Sequence, residues 1–205
     1  MSTSRLEAFS DGVLAIIITI MVLELKVPEE PTLHSLVHTT GTSLLTYLLS
    51  FVYIGIYWSN HHHLFQLVDR VDGTMLWANL HLLFWLSLYP LTTAWLDESG
   101  LARTPTLIYG VNLLAAAIAF SLLQLRILRV PGTGDRVRQA LGADVKGKLS
   151  PVLYLTGIAL AFVSPSLALM PYVAVALMWL VPDRRVERFL AQEAAGSAGG
   201  LTGRG

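Results

Sequence analysis

The 205-residue sequence predicts an all-α integral membrane protein with six transmembrane helices per chain, and three observations carry that expectation. Hydrophobic residues make up 54% of the chain and charged residues only 14%, with a mean hydropathy of +0.58; soluble domains carry roughly 25% charged residues. Apolar blocks long enough to cross a bilayer, which takes about 20 residues of helix, recur along the chain. Threaded in order, those blocks also sort the cations onto one side, as short cytoplasmic loops require.

Four segments qualify as single spans: Leu6 to Leu25, Leu36 to Trp58, Met75 to Trp95 and Thr106 to Leu128, each bounded by charge, proline or glycine. The last block, Val152 to Val181, is too long for one span and carries Ser164-Pro165-Ser166 at its centre. It reads as a hairpin of two short helices, because Pro165 removes a backbone donor and turns its predecessor away from helix. Ser150-Pro151 reads as an N-cap followed by a first-position proline. In the six-span threading Arg5, Arg70, Arg126, Arg129, Arg136, Arg138, Lys146, Lys148, Arg184, Arg185, Arg188 and Arg204 share one side, and only Lys26 and Arg103 lie on the other. Both termini are therefore expected in the cytoplasm. Residues 1–183 form one six-helix unit in this reading, Pro131 to Lys148 a cytoplasmic loop, and residues 184–205 a disordered tail.

The formal net charge is zero and cysteine is absent. The first fact gives no basic field for a nucleic-acid partner, and the second excludes disulfides, thiolate chemistry and cysteine-held metals. Glu7 and Asp11 spoil a basic leader, so the first apolar block is expected to be a mature helix rather than a signal peptide.

On that helix Ile16, Thr19, Ile20 and Leu23 share a face, and Phe9 and Gly12 extend the line toward the cytoplasm. Spacing alone leaves two readings open, ordinary packing against helices or lipid and the lining of a path. Ser10 and Asp11 fall on other faces. A carboxylate in a span costs about 2.5 kcal/mol or more at the bilayer centre and less near its edge, so Asp11 needs a partner; Arg5 and the histidines after the second span are the expected ones. Those histidines lie in "WSNHHHLF", Trp58 to Phe65. Consecutive residues of a helix point about 100° apart, so the three do not converge on one metal ion. Trp58 and His61, three apart, project together toward the first helix, with His62 and His63 expected in a solvated loop.

Arg5 followed by Phe9-Ser10-Asp11 at the start of a first span resembles the signature of the transmembrane protein 175 family of potassium channels. Trp58-x-x-His61, the following Leu64-Phe65-Gln66, and Asn79 early in the third span are similar to the family pattern as well; the last three spans match only in hydropathy. The resemblance implies a potassium-permeable cation channel without a carbonyl filter, and neither "TGTS" (Thr40 to Ser43) nor "YGVN" (Tyr109 to Asn112) is such a filter. With a single FSD the chain looks like the bacterial form, a homotetramer in the cell membrane whose four first helices line a central pore. In that frame Ile16 is the hydrophobic constriction, and Thr19, Ile20 and Leu23 continue the ion path. Arg5, Phe9, Ser10, Asp11, Trp58, His61 and Asn79 form a structural polar network, and Glu24, Glu29 and Glu30 gather cations at the outer mouth. No cofactor is implied, potassium being the permeant ion. Arg5, eleven residues before Ile16, returns almost to the pore line; either the helix begins after it or its side chain turns aside at the wide inner mouth.

Two rival functions are carried. A proton-coupled small-solute carrier would use Asp11 and His61 as a relay, although inverted repeats and midplane breaks are not evident. An intramembrane enzyme would need HExxH, GxSxG or paired catalytic aspartates, and none occurs. Proton permeation through the same pore is left open by the residues.

Overall fold

The computed structural model describes residues 2–141 and 144–180. Every regular element among them is helical: α1 Thr3–Leu23, α2 Leu33–Phe65, α3 Gly73–Ser87, α4 Tyr89–Glu98, α5 Arg103–Ile127, α6 Thr133–Leu141, α7 Val145–Ala161 and α8 Pro165–Leu180. Of these, α1, α2 and α5 are long and apolar enough to cross a membrane by themselves, while α8 is apolar but shorter. In hydrocarbon a backbone amide finds partners only inside its own segment, which forces such apolar runs into helix despite their β-branched residues.

Polar side chains mark the starts. The Thr32 hydroxyl accepts from the Ser35 amide at the head of α2, Asp72 accepts from the Met75 amide at the head of α3, and Asp144 accepts from the Gly147 amide at the head of α7. Between α4 and α5 the chain closes a Schellman turn: Gly100 N–H bonds the Asp97 carbonyl and Leu101 N–H the Leu96 carbonyl. Gly100 sits at φ +60°, where a Cβ is disfavoured.

Several boundaries differ from the sequence reading. The expected span Met75 to Trp95 is broken into α3 and α4, because Pro90 has no N–H for the Leu86 carbonyl. Leu88 stays αR (φ −85°, ψ −7°), so the chain continues through the break without a turn. The second helix does not stop at Trp58 but runs to Phe65, carrying all three histidines. The supposed loop Pro131 to Lys148 contains α6 and the first turn of α7. Ser150 is not an N-cap: α7 already begins at Val145, Pro151 lies inside it, and the Ser150 hydroxyl donates to the Lys146 carbonyl. The final block is a hairpin as expected, with α7 and α8 packed together and joined through Phe162–Ser164. The tail 184–205, with Arg184, Arg185, Arg188 and Arg204, lies outside the described residues.

The bundle is layered along the chain: α1 rests on α2, α3 and α4, α3 on α5, α5 on α7, and α7 on α8. Its centre is a cluster of buried tyrosines, Tyr53, Tyr89, Tyr109, Tyr154 and Tyr172, whose ring centroids lie 6.1–6.5 Å apart. A hydroxyl in an apolar core needs a partner, and among the described residues those of Tyr89 and Tyr172 have none. Tyr109 has Ser50 Oγ at 3.0 Å, Ser50 has Thr93 Oγ1 at 2.7 Å, and Tyr53 donates to the Tyr172 carbonyl. Tyr172 fits because Gly110 and Gly157 flank it; a Cβ at either position would run into its ring or hydroxyl.

Candidate functional site

Two faces of α1 diverge. Leu6, Ser10, Leu14, Ile17 and Met21 are buried at helical spacing, whereas Phe9, Ile16, Ile20 and Leu23 are exposed, Ile16 to 59% and Leu23 to 81%. The buried face holds a directional hydrogen-bond chain. Ser10 Oγ donates to the Leu6 carbonyl (2.9 Å) and accepts from Asn79 Nδ2 (3.0 Å), and Asn79 Oδ1 lies 2.8 Å from His61 Nε2. Because the Asn79 amide group is directed at Ser10, its carbonyl receives an N–H, which assigns the hydrogen of His61 to Nε2. Ser10, Asn79 and His61 are all buried.

Beside this chain Trp58 Nε1 donates to Asp11 Oδ1 at 3.0 Å on the exposed flank. One turn toward the N-terminus His62 Nδ1 lies 3.4 Å from Glu7 Oε1, and Thr3 donates to the Val68 carbonyl at 3.1 Å. The N-terminal half of α1 is thus fastened to α2, α3 and the turn between them by polar bonds. Beyond Leu14 its buried contacts, Ile17 and Met21, are apolar.

The partner of Asp11 is therefore Trp58, not Arg5 or a histidine. Arg5 is exposed and makes no hydrogen bond or ion pair among the described residues. Since α1 begins at Thr3, the alternative in which the helix starts after Arg5 does not apply. Phe9 lies on the Ile16 side of α1 and contributes nothing to the hydrogen-bonded side. His62 and His63 sit on the last turn of α2 instead of in a loop, His62 toward Glu7 and His63 toward a cavity on another side of the helix. Among the described residues Asp11 and His61 do not bond to each other, so the relay proposed for a carrier is not assembled.

On the exposed stripe the Thr19 hydroxyl donates to the Ile16 carbonyl at 2.9 Å. With its hydrogen directed back along the helix, the oxygen keeps its lone pairs for an acceptor role. Glu24, Glu29 and Glu30 are exposed beyond the stripe, and Lys26 pairs with Glu98 at 3.7 Å. Sequence reasoning missed the Glu7–His62 pair and the tyrosine cluster. The signal for the cluster was present, since serines, threonines and tyrosines recur inside otherwise apolar spans and each demands a partner.

Fold and site together define an all-helical membrane protein whose first helix is fastened on one face and unpartnered on the other. The model of the family described as endosomal/lysosomal potassium channel TMEM175 matches residues 5–90, the stretch that holds the whole hydrogen-bond chain. The chain is 50% identical over 192 residues to a potassium channel of Chryseobacterium sp. (strain P1-3), covering 94% of this chain and 100% of that one. It is 34% identical over 187 residues to a potassium channel of Streptomyces collinus, covering 86% and 91%. The crystal structure of a lysosomal potassium-selective channel TMEM175 homolog from Chamaesiphon minutus superposes with a TM-score of 0.71 at 34% identity, covering 87% of this chain and 96% of that one. The chain belongs to the TMEM175 family.

Proposed function

We propose that the protein is a passive potassium-permeable cation channel in which four copies surround an axis lined by α1. Each copy contributes one six-span unit over residues 1–183, with α3 and α4 together serving as the third span, both termini and the tail 184–205 in the cytoplasm, and the whole in the cell membrane. The observation that carries this reading is the division of α1 into a fastened face and an exposed stripe of Ile16, Thr19, Ile20 and Leu23. Rings of Ile16 make an apolar constriction that passes ions only when wetted. Thr19, one turn outward, offers oxygen to a partly dehydrated cation, and Glu24, Glu29 and Glu30 raise the local cation concentration at the mouth. Without a cage of carbonyl oxygens, preference for potassium over sodium is modest. The hydrogen-bond chain Ser10–Asn79–His61 and the Trp58–Asp11 bond support the helix and do not touch the ion. No chemistry is catalysed and no cofactor is used.

The test is potassium flux from liposomes holding the purified protein. Wild type conducts potassium faster than sodium, and Ile16→Asn, which puts a polar ring at the constriction, raises conductance several-fold. Absence of cation flux in wild type defeats the channel reading. An unchanged conductance in Ile16→Asn removes Ile16 from the constriction.

A further inference from the structure

A cavity of about 330 Å³ lies between the inner halves of α2, α5 and α7 and the end of α8. It occupies the side of α2 turned away from Trp58 and His61, so it is separate from the α1 network. Its volume reaches the roughly 300–1,000 Å³ of small-molecule sites. The cavity is elongated: its lining on α2 runs from Phe51 to Leu64, about 20 Å of helix.

The lining changes character along that length. One part is lined by Phe51, which is itself exposed, with Tyr57, Phe120 and Tyr154, and the end nearest the helix termini by Asn60, His63, Gln124 and Asp144 together with the apolar Leu67, Trp179 and Leu180. The Asn60 amide bonds the Ile56 carbonyl and the Asp144 carboxylate the Gly147 amide. At the rim Lys146 stands 5.7 Å over the Trp179 ring, and Lys148 is exposed half a turn on. The N-terminus of α7 adds its positive dipole end; Asp144 is the opposing charge. An elongated, partly open and mostly apolar cavity with two lysines near one end fits an amphiphile with an apolar chain and an anionic head. For a chain embedded in a bilayer, the molecule of that chemistry at hand is a phospholipid of the surrounding leaflet.

We propose that this cavity holds one acyl chain of an anionic glycerophospholipid, with the phosphate at Lys146, Lys148 and the first turn of α7. The site depends on the membrane placement of the chain but not on conduction. Gly55 supplies the means to test it: it lines the cavity, and a Cβ built there meets nothing within 4 Å. A side chain at 55 therefore starts from open space in the cavity wall, and a leucine there takes up cavity volume.

The full-length chain is placed in nanodiscs of phosphatidylglycerol mixed with phosphatidylcholine, extracted with detergent, and its retained phospholipid counted by mass spectrometry. Wild type retains phosphatidylglycerol in preference to phosphatidylcholine. Gly55→Leu loses retention by about fivefold or more with an unchanged unfolding temperature, and Gly55→Ala keeps it. Lys146→Ser combined with Lys148→Ser keeps a retained lipid but abolishes the preference. Should Gly55→Leu fail to fold, Ala117→Met enters the same cavity from α5. Retention by a folded Gly55→Leu equal to wild type overturns the proposal. So does equal retention of the two lipids by wild type, or binding that arises only after removal of residues 181–205, which would make the chain's own segment the occupant. Lipid retention is read without any flux measurement, so its failure and that of the channel reading are separate results.

Discussion

Asn79 touches both Ser10 on α1 and His61 on α2, and no conservative replacement serves both bonds. Asn79→Ala leaves the buried His61 Nε2 without its acceptor and takes one of two bonds from the Ser10 hydroxyl, which keeps the Leu6 carbonyl; a buried polar group left unsatisfied costs about 1–3 kcal/mol, reduced in part because membrane reference states find other partners. The expected loss is about 1–3 kcal/mol, read as a lowered unfolding temperature in detergent. Ser10→Ala, which takes the Ser10 acceptor from the Asn79 amide but leaves the His61 bond in place, costs less. An unfolding temperature unmoved by Asn79→Ala would show that the chain of bonds adds nothing to stability. Asp72 supplies a pH test outside the spans: the Met75 amide, then the Thr74 hydroxyl, hold its carboxyl below the ordinary 3.8. A depressed folded pKa gives stability that is present above 3.8 and lost as pH falls below it. Asp72→Ala should cost about 1 kcal/mol near neutrality, as a lost N-cap does, and should flatten the acid limb of the stability curve. An unaltered acid limb would show that the cap does not couple to folding.

At the scale of the element, the Tyr172 ring between Gly110 and Gly157 sets how closely α5, α7 and α8 approach. Gly110→Ala and Gly157→Ala overpack that contact, for which about 1–3 kcal/mol is the usual cost; both should lower the unfolding temperature, and no change in either would mean the ring swings clear. Elements were legible where one residue's chemistry sufficed. Ser164-Pro165 announced the α7–α8 turn because proline removes the donor a continuous helix needs. Pro90 carried the same signal, yet it was absorbed into a span, since hydropathy is blind to a break that keeps αR geometry. Ser150-Pro151 misled because a cap and a mid-helix serine look alike in sequence; what decides is whether the preceding residues are helical, and here Asp144 capping Gly147 starts the helix earlier. At the site the structure brings Trp58 to Asp11, Asn79 to Ser10 and His61 to Asn79. Their pairing was not legible, because which of two carboxylates an indole meets depends on helix rotation, a tertiary quantity.

For the whole molecule the absence of cysteine is an experimental advantage, since a single introduced thiol is unique. In the proposed assembly Leu23→Cys, on the exposed stripe, should link copies into covalent dimers under mild oxidation. Met21→Cys, on the buried face, should not. No cross-link at Leu23 would move α1 away from the axis. The length of α2 has a mechanical consequence. Its 33 residues make a rod of roughly 50 Å, well over the roughly 30 Å of hydrocarbon, and Trp58 and His61 pin it near its C-terminal end. The arm from Trp58 out to Leu33 is roughly 38 Å and the arm to Phe65 roughly 10 Å. Ser50 and Tyr53, bonded into the tyrosine cluster, hold α2 again roughly 12 Å and 8 Å from Trp58, so the rod is clamped over about three turns rather than hinged at one point. A displacement at the Leu33 end is taken up by bending of the roughly 24 Å between Leu33 and Leu49 before it reaches the clamped segment that holds the base of α1.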